Sequence, residues 1–245
     1  WFEDHLADTG PDYSSNRKKL LKYDNFITSN FITTHPSTLD FLKKKKNFHY
    51  LPIPVDKNIE KLKIYENKNQ ICDVFFSMSH GVNRGKLKRD KEDERHNFIT
   101  NLITQCPNII FDIYGYKNRE PVWAEDFYKV IVNSKMALNL TRGKPLKYLT
   151  SNRIASLIGN GLLTFIDRRT KLDNFFNKNE VVFYSNLEDL AEKINQFKAN
   201  DKARMKVAKN GRKKYFELFE CQKVSDYIIS KSFNRENLKR LKWMD

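Results

Sequence analysis

The feature that most restricts this chain begins at Ile71 and runs to Phe233. Short, almost unbroken apolar runs alternate with segments whose apolar residues recur at helical spacing. Residues 71–78 (ICDVFFSM) read as a strand buried on both faces. Residues 90–105 then set His96, Ile99, Leu102 and Ile103 along one side of a helix. The same alternation gives a strand at 109–114 closed by Gly115, a helix over 123–134 and a strand at 136–140. A helix over 152–158, stopped by Gly159 and Gly161, is followed by strands at 162–166 and 180–184. Leu187, Leu190, Ile194 and Phe197 mark the next helix, with Ser185-Asn186-Leu187-Glu188 as its capping box, and helices over 201–219 and 221–233 finish the series. Strands without polar alternation, separated by helices, predict an α/β unit: a Rossmann-like parallel sheet with helices on both faces.

Upstream, residues 26–33 are β-rich, Pro36-Ser37 opens a helix that ends in the lysines of 43–46, and residues 49–53 form a strand halted by Pro52 and Pro54. This reads as the end of another Rossmann-like domain. Residues 55–70 are polar and rich in Lys and Asn, which reads as a linker. The expected organisation is therefore 1–54, a partial N-terminal domain; 55–70, linker; 71–233, a ligand-binding domain; and 234–245, a tail.

The 245 residues can bury a sizeable core. Lys+Arg 45 against Asp+Glu 30 leaves +15, which raises the question of nucleic acid. The excess is spread along the chain and is mostly lysine, 32 against 13 arginines. A solvated lysine surface is the leading reading, ahead of an anionic small-molecule site and of a nucleic-acid surface. No apolar run approaches the roughly 20 residues of a membrane-spanning helix. The chain starts at Trp1 without a secretory leader, and is read as a fragment. Cys72, Cys106 and Cys221 lie far apart with no Cys-x-x-Cys, which fits a reduced, cytoplasmic setting.

In a parallel sheet, ligands sit beyond the carboxyl ends of the strands, so the loops after the strands carry the expected site. Residues 79–86 hold two glycines with Arg84 and Lys86, a basic turn suited to phosphate but lacking a Walker A or Gly-x-Gly-x-x-Gly spacing. Tyr116 closes the next strand, either as a packed aromatic or as a stacking surface for a base. Asn139 and Arg142 follow the third strand. Ser151 is a fitting N-cap for the helix opened by Asn152 and Arg153, and a helix start flanked by Arg142 and Arg153 suits a diphosphate. The five histidines show no metal-ligand spacing, and no Ser/His/Asp set can be assembled. No metal or resident cofactor is expected.

The order of these segments resembles a known family. Residues 136–143 (MALNLTRG), 151–164 (SNRIASLIGNGLLT), 179–194 (NEVVFYSNLEDLAEKI) and 208–212 resemble the C-terminal half of GT-B glycosyltransferases, the CgeB/YkvP-like group in particular. Leu51-Pro52-Ile53-Pro54-Val55-Asp56 resembles the family's crossover between domains. The resemblance implies sugar transfer from a nucleotide-sugar donor to an acceptor that is a glycan, lipid or protein, without a metal. Peripheral membrane contact is left open, and nucleic acid is not expected. Carried over by position, Arg84 and Lys86 lie near the phosphates, Asn152 and Arg153 at the helix start that faces the diphosphate, and Arg142 beside it; Tyr116, Asn139, Ser151 and Ser156 complete the expected nucleotide-sugar site. Many members carry a Glu-x7-Glu pair whose matching positions here are Tyr148 and Ser156, neither acidic. That departure keeps open an alternative, a non-catalytic module that binds a sugar or a partner. Which residue acts as catalytic base is not legible.

Overall fold

A computed structural model describes residues 2–3, 31–34, 48–79, 93–235 and 243. It contains two parallel sheets. The smaller has β1 (Phe2–Glu3), β2 (Phe31–Thr33) and β3 (Phe48–Tyr50) in that order, with Phe31 beside Phe48 and Phe2 beside Ile32. The helix expected over 36–46 lies outside the described residues.

The larger sheet is built from β4 (Cys72–Ser77), β5 (Phe111–Tyr114), β6 (Ser134–Asn139), β7 (Leu163–Asp167) and β8 (Val182–Tyr184), all parallel, in the order β5-β4-β6-β7-β8. Between and after the strands come α1 (Glu94–Gln105), α2 (Ala124–Ile131), α3 (Asn152–Gly159), α4 (Leu187–Ala199), α5 (Asp201–Phe219) and α6 (Cys221–Ser232). The continuous apolar runs are explained by burial on both faces. Val74, Phe76, Met136, Leu138 and Phe165 pack with Ile99 and Leu102 of α1 and Leu190 and Ile194 of α4. The intervening Phe75 and Ala137 meet Ile131 of α2 and Leu157 of α3, and Ile166 and Phe183 meet Ile154 and Ile158. Helix α5 serves both clusters, through Val207 and Ala208 and through Tyr215 and Phe219.

Two local details differ from the sequence reading, each for a physical reason. Helix α2 stops at Ile131 because Ser134 already pairs with Cys72 in the sheet. The reciprocal cap of α4 lies one residue later than expected. The Asn186 side chain accepts the Asp189 N–H at 2.8 Å, and the Asp189 carboxylate accepts the Ser185 N–H at 2.8 Å.

Residues 55–70 run packed against the larger unit. The Val55 N–H donates to the Phe219 carbonyl at 2.9 Å, the Cys221 N–H donates to the Val55 carbonyl at 2.9 Å, and the Ile64 N–H donates to the Asn160 carbonyl at 2.7 Å. Val55 and Ile64 are buried. From β3, Tyr50 donates to the Tyr148 carbonyl at 2.7 Å and stacks on Phe175. All three cysteines are free thiols.

Candidate functional site

The point where the strand order reverses lies between β4 and β6. Beyond their carboxyl ends the connections diverge, one to β5 and one to β7, and a sheet of this order takes its ligand in the crevice at such a point. Ser77 and Met78 end one wall, Asn139 and Leu140 the other. Gly115, just past β5, has φ +73°, and a Cβ there would run into the Met78 carbonyl. Only glycine lets β5's turn close so tightly over β4.

Two arginines meet at this point. Arg153, the second residue of α3, donates from Nη1 to the Leu140 carbonyl at 3.0 Å, and its guanidinium lies 5.3 Å from the centre of the Phe76 ring. Arg95, the second residue of α1, donates from Nη2 to the Ser79 carbonyl at 2.8 Å and from Nε to Asp93 at 2.9 Å. Asp93 also caps α1 by accepting the Arg95 N–H. Arg95 is thus neutralised by a buried carboxylate. Arg153 has no acidic partner among the described residues. Although partly exposed by area, its guanidinium is densely surrounded by protein, and that burial pushes it down to about 10, with the nearby Arg95 adding a smaller push.

The start of α3 compounds the imbalance. Helices α1, α2, α4 and α5 each carry an acid in the first turn, which suits the positive end of a helix dipole. Helix α3 carries none, and has Arg153 there instead. Burial, Arg95 and the dipole all oppose the Arg153 charge, and one bound anion would relieve all three.

Of the other residues singled out from sequence, Ser151 is the N-cap, accepting the Ile154 N–H at 3.3 Å, and Asn152 is exposed beside it. Asn139 ends β6 almost wholly buried, and its Oδ1 has no partner. The buried Tyr184 hydroxyl at the end of β8 is unpartnered as well. Arg142 is exposed on the loop after β6, where the neighbouring Gly143 N–H is held by the Glu94 carboxylate. Tyr116 is turned into the core, its hydroxyl 2.7 Å from Thr100 on α1 and its ring 5.2 Å from that of His96. Ser156 lies in the second turn of α3 with its hydroxyl 3.5 Å from that of Tyr128. Tyr148, at φ 59°, packs on Phe175 and takes a hydrogen bond from Asn174. Arg84 and Lys86 lie outside the described residues.

Arg95 was not singled out from sequence. Its signal was there: Arg95, Ile99 and Leu102 share the i, i+4, i+7 spacing of a buried face, and a charge on such a face demands a partner. Among the described residues no group of three His, Cys, Asp or Glu gathers as a metal site.

Solved structures resemble the whole described chain. The Anabaena HepE protein in complex with UDP matches with a TM-score of 0.66 at 11% identity, covering 95% of this chain and 72% of that one. Sucrose-phosphate synthase from Thermosynechococcus elongatus matches at 0.61 and 10% identity, covering 96% and 68%. TarM matches at 0.64 and 11% identity, covering 94% and 49%. At such identities the likeness shows the fold, which is that of the GT-B glycosyltransferases. No match was found among curated proteins. The glycosyl transferase-like family model matches residues 91–230, more than half of the chain, and takes in α1, the crevice walls beyond β6 and the whole of α3. The chain belongs to the glycosyl transferase-like family.

Proposed function

We propose that this glycosyltransferase holds a nucleoside-diphosphate sugar in the crevice between β4 and β6, with the diphosphate against Arg153 and the first turn of α3. The single observation that carries this reading is the Arg153 guanidinium, closely surrounded by protein and without a carboxylate partner among the described residues. As the glycosyl carbon–oxygen bond breaks, negative charge grows on the departing diphosphate. A fixed guanidinium and a helix N-terminus stabilise that charge without reorganising. Arg95, already paired with Asp93, is assigned to positioning: it ties the start of α1 to the end of β4 and repels Arg153 toward the crevice. Asn139 offers its unpartnered oxygen to a donor hydroxyl. Arg142 supplies outer positive charge, and Tyr116 supports α1 from the core.

The donor grip proposed here uses no acid at 148 or 156. Tyr148 is committed to packing and Ser156 offers only a hydroxyl. Uridine diphosphate is the first nucleotide to try, because the HepE structures hold UDP or UDP-glucose. The CgeB/YkvP-like grouping and a reducing, cytoplasmic setting belong to the same proposal, supported by the segment order and the three free thiols.

The test is a panel of UDP-, GDP- and CMP-linked sugars screened for thermal stabilisation, followed by turnover of the best binder. A ligand bound only by the folded state raises the melting temperature. The reading predicts that one nucleotide class stabilises the wild type and fails to stabilise Arg153→Ala. Stabilisation that survives the substitution removes the diphosphate from this crevice.

A further inference from the structure

Helix α5 carries lysines at 202, 206, 209 and 213, and all four are exposed. At 3.6 residues per turn these positions fall within an arc of about 60° and span roughly 16 Å, so they form one straight ridge. None of the four forms an ion pair among the described residues, although Lys213 is near enough to Glu217 to help lower its carboxyl. The acids of the same helix sit at its two ends and are already occupied, Asp201 by Arg204 at 3.0 Å and Glu217 by Lys214 at 2.7 Å. The ridge is extended sideways. Asn210 bonds to the carbonyl of Asn179, next to exposed Lys178, and Arg212 bonds to the carbonyl of Glu60, next to exposed Lys61.

The helix is packed closely on both sides. Gly211 is pressed so closely on the Glu180 carbonyl that a Cβ would collide with it, and residues 60–66 flank the other side. The four lysines themselves carry no arginine fork or aromatic ring for reading or stacking on bases. Lysine is a compact, mobile point charge, which matches a surface of diffuse negative charge. No helix among the described residues is long and apolar enough to cross a membrane, so a contact made here is peripheral.

We propose that the α5 lysine ridge docks this protein on an anionic lipid bilayer. The ridge is separate from the crevice residues and adds a location to the transfer reaction: an acceptor within or beside a membrane would be met there.

The experiment is co-sedimentation of the whole chain with vesicles of phosphatidylcholine alone or mixed in equal parts with phosphatidylglycerol. Wild type should bind the mixed vesicles, and added salt should release it. The variant with Lys202→Gln, Lys206→Gln, Lys209→Gln and Lys213→Gln should lose roughly five-fold per charge, several-hundred-fold in all. The matching four-arginine variant should bind like wild type. Glutamine and arginine are both good helix formers, so both variants should keep the wild-type melting temperature. Equal binding to neutral vesicles, full retention in the glutamine variant, or stronger binding to a single-stranded RNA than to mixed vesicles would overturn the proposal. Nucleotide-sugar stabilisation should be the same in all variants, so failure here is distinguishable from failure of the donor site.

Discussion

Arg153 and Arg95 bring two guanidinium groups to the carboxyl ends of β4 and β6, yet among the described residues only Arg95 has a carboxylate partner. Stability and binding should therefore move in opposite directions at residue 153. Arg153→Met removes a half-buried charge that has no acidic partner among the described residues, keeps much of the stem, and should stabilise the empty protein by about 1 kcal/mol. The same change should weaken nucleotide-sugar binding by about 1.5–3 kcal/mol. Thermal unfolding and calorimetry on one preparation read both effects, and a variant that is less stable but binds normally contradicts this account.

Arg142 is exposed and should behave as an outer charge. Arg142→Ala should weaken donor binding by about 0.5 kcal/mol at low salt, and by nothing measurable at high salt. A salt-independent loss as large as that of Arg153→Ala would place Arg142 on the ligand itself.

Gly115→Ala tests the closure of the β5 turn over β4. The alanine would have to hold φ +73° and push its methyl into the Met78 carbonyl. A loss of about 3 kcal/mol or more is expected in chemical denaturation. A neutral result would mean that this turn relaxes freely.

Glu60 gives a pH dependence. Burial raises its carboxyl above the usual range, against the hydrogen bonds it accepts from the Asp56 N–H and the Tyr128 hydroxyl. A raised folded value favours the protonated form in the native state. Its stabilising contribution is therefore full below the unfolded carboxylate value and is lost as pH rises through the folded one. Glu60→Gln should flatten that part of the melting-temperature profile, leaving the variant relatively more stable at neutral pH than at acid pH. A profile parallel to wild type would show that Glu60 titrates normally.

The larger sheet was legible because burial on both faces leaves a simple signature. Runs such as Val74–Phe75–Phe76 have no polar alternation, and only a covered parallel sheet accepts them. The Ser151 cap was legible for an equally local reason. The site was legible only in part. Arg153 could be placed at a helix start from sequence, but its meeting with Arg95 depends on strands far apart in the chain. Tyr116 left two options open, and a partner for its hydroxyl on α1 settles its packing. The cap of α4 slipped by one residue because Ser185 and Asn186 are both good caps, and spacing alone does not rank them.

The stitching of residues 55–66 has a practical consequence for anyone dissecting the protein. Val55 is wedged into the corner between α5 and α6, and Gly161 abuts the Tyr65 ring. Trimming the chain back to the first strand of the larger sheet would strip that strap away, bare two oily slots and leave orphaned amides at the Phe219–Cys221 bend. Such a trimmed piece should clump and melt early.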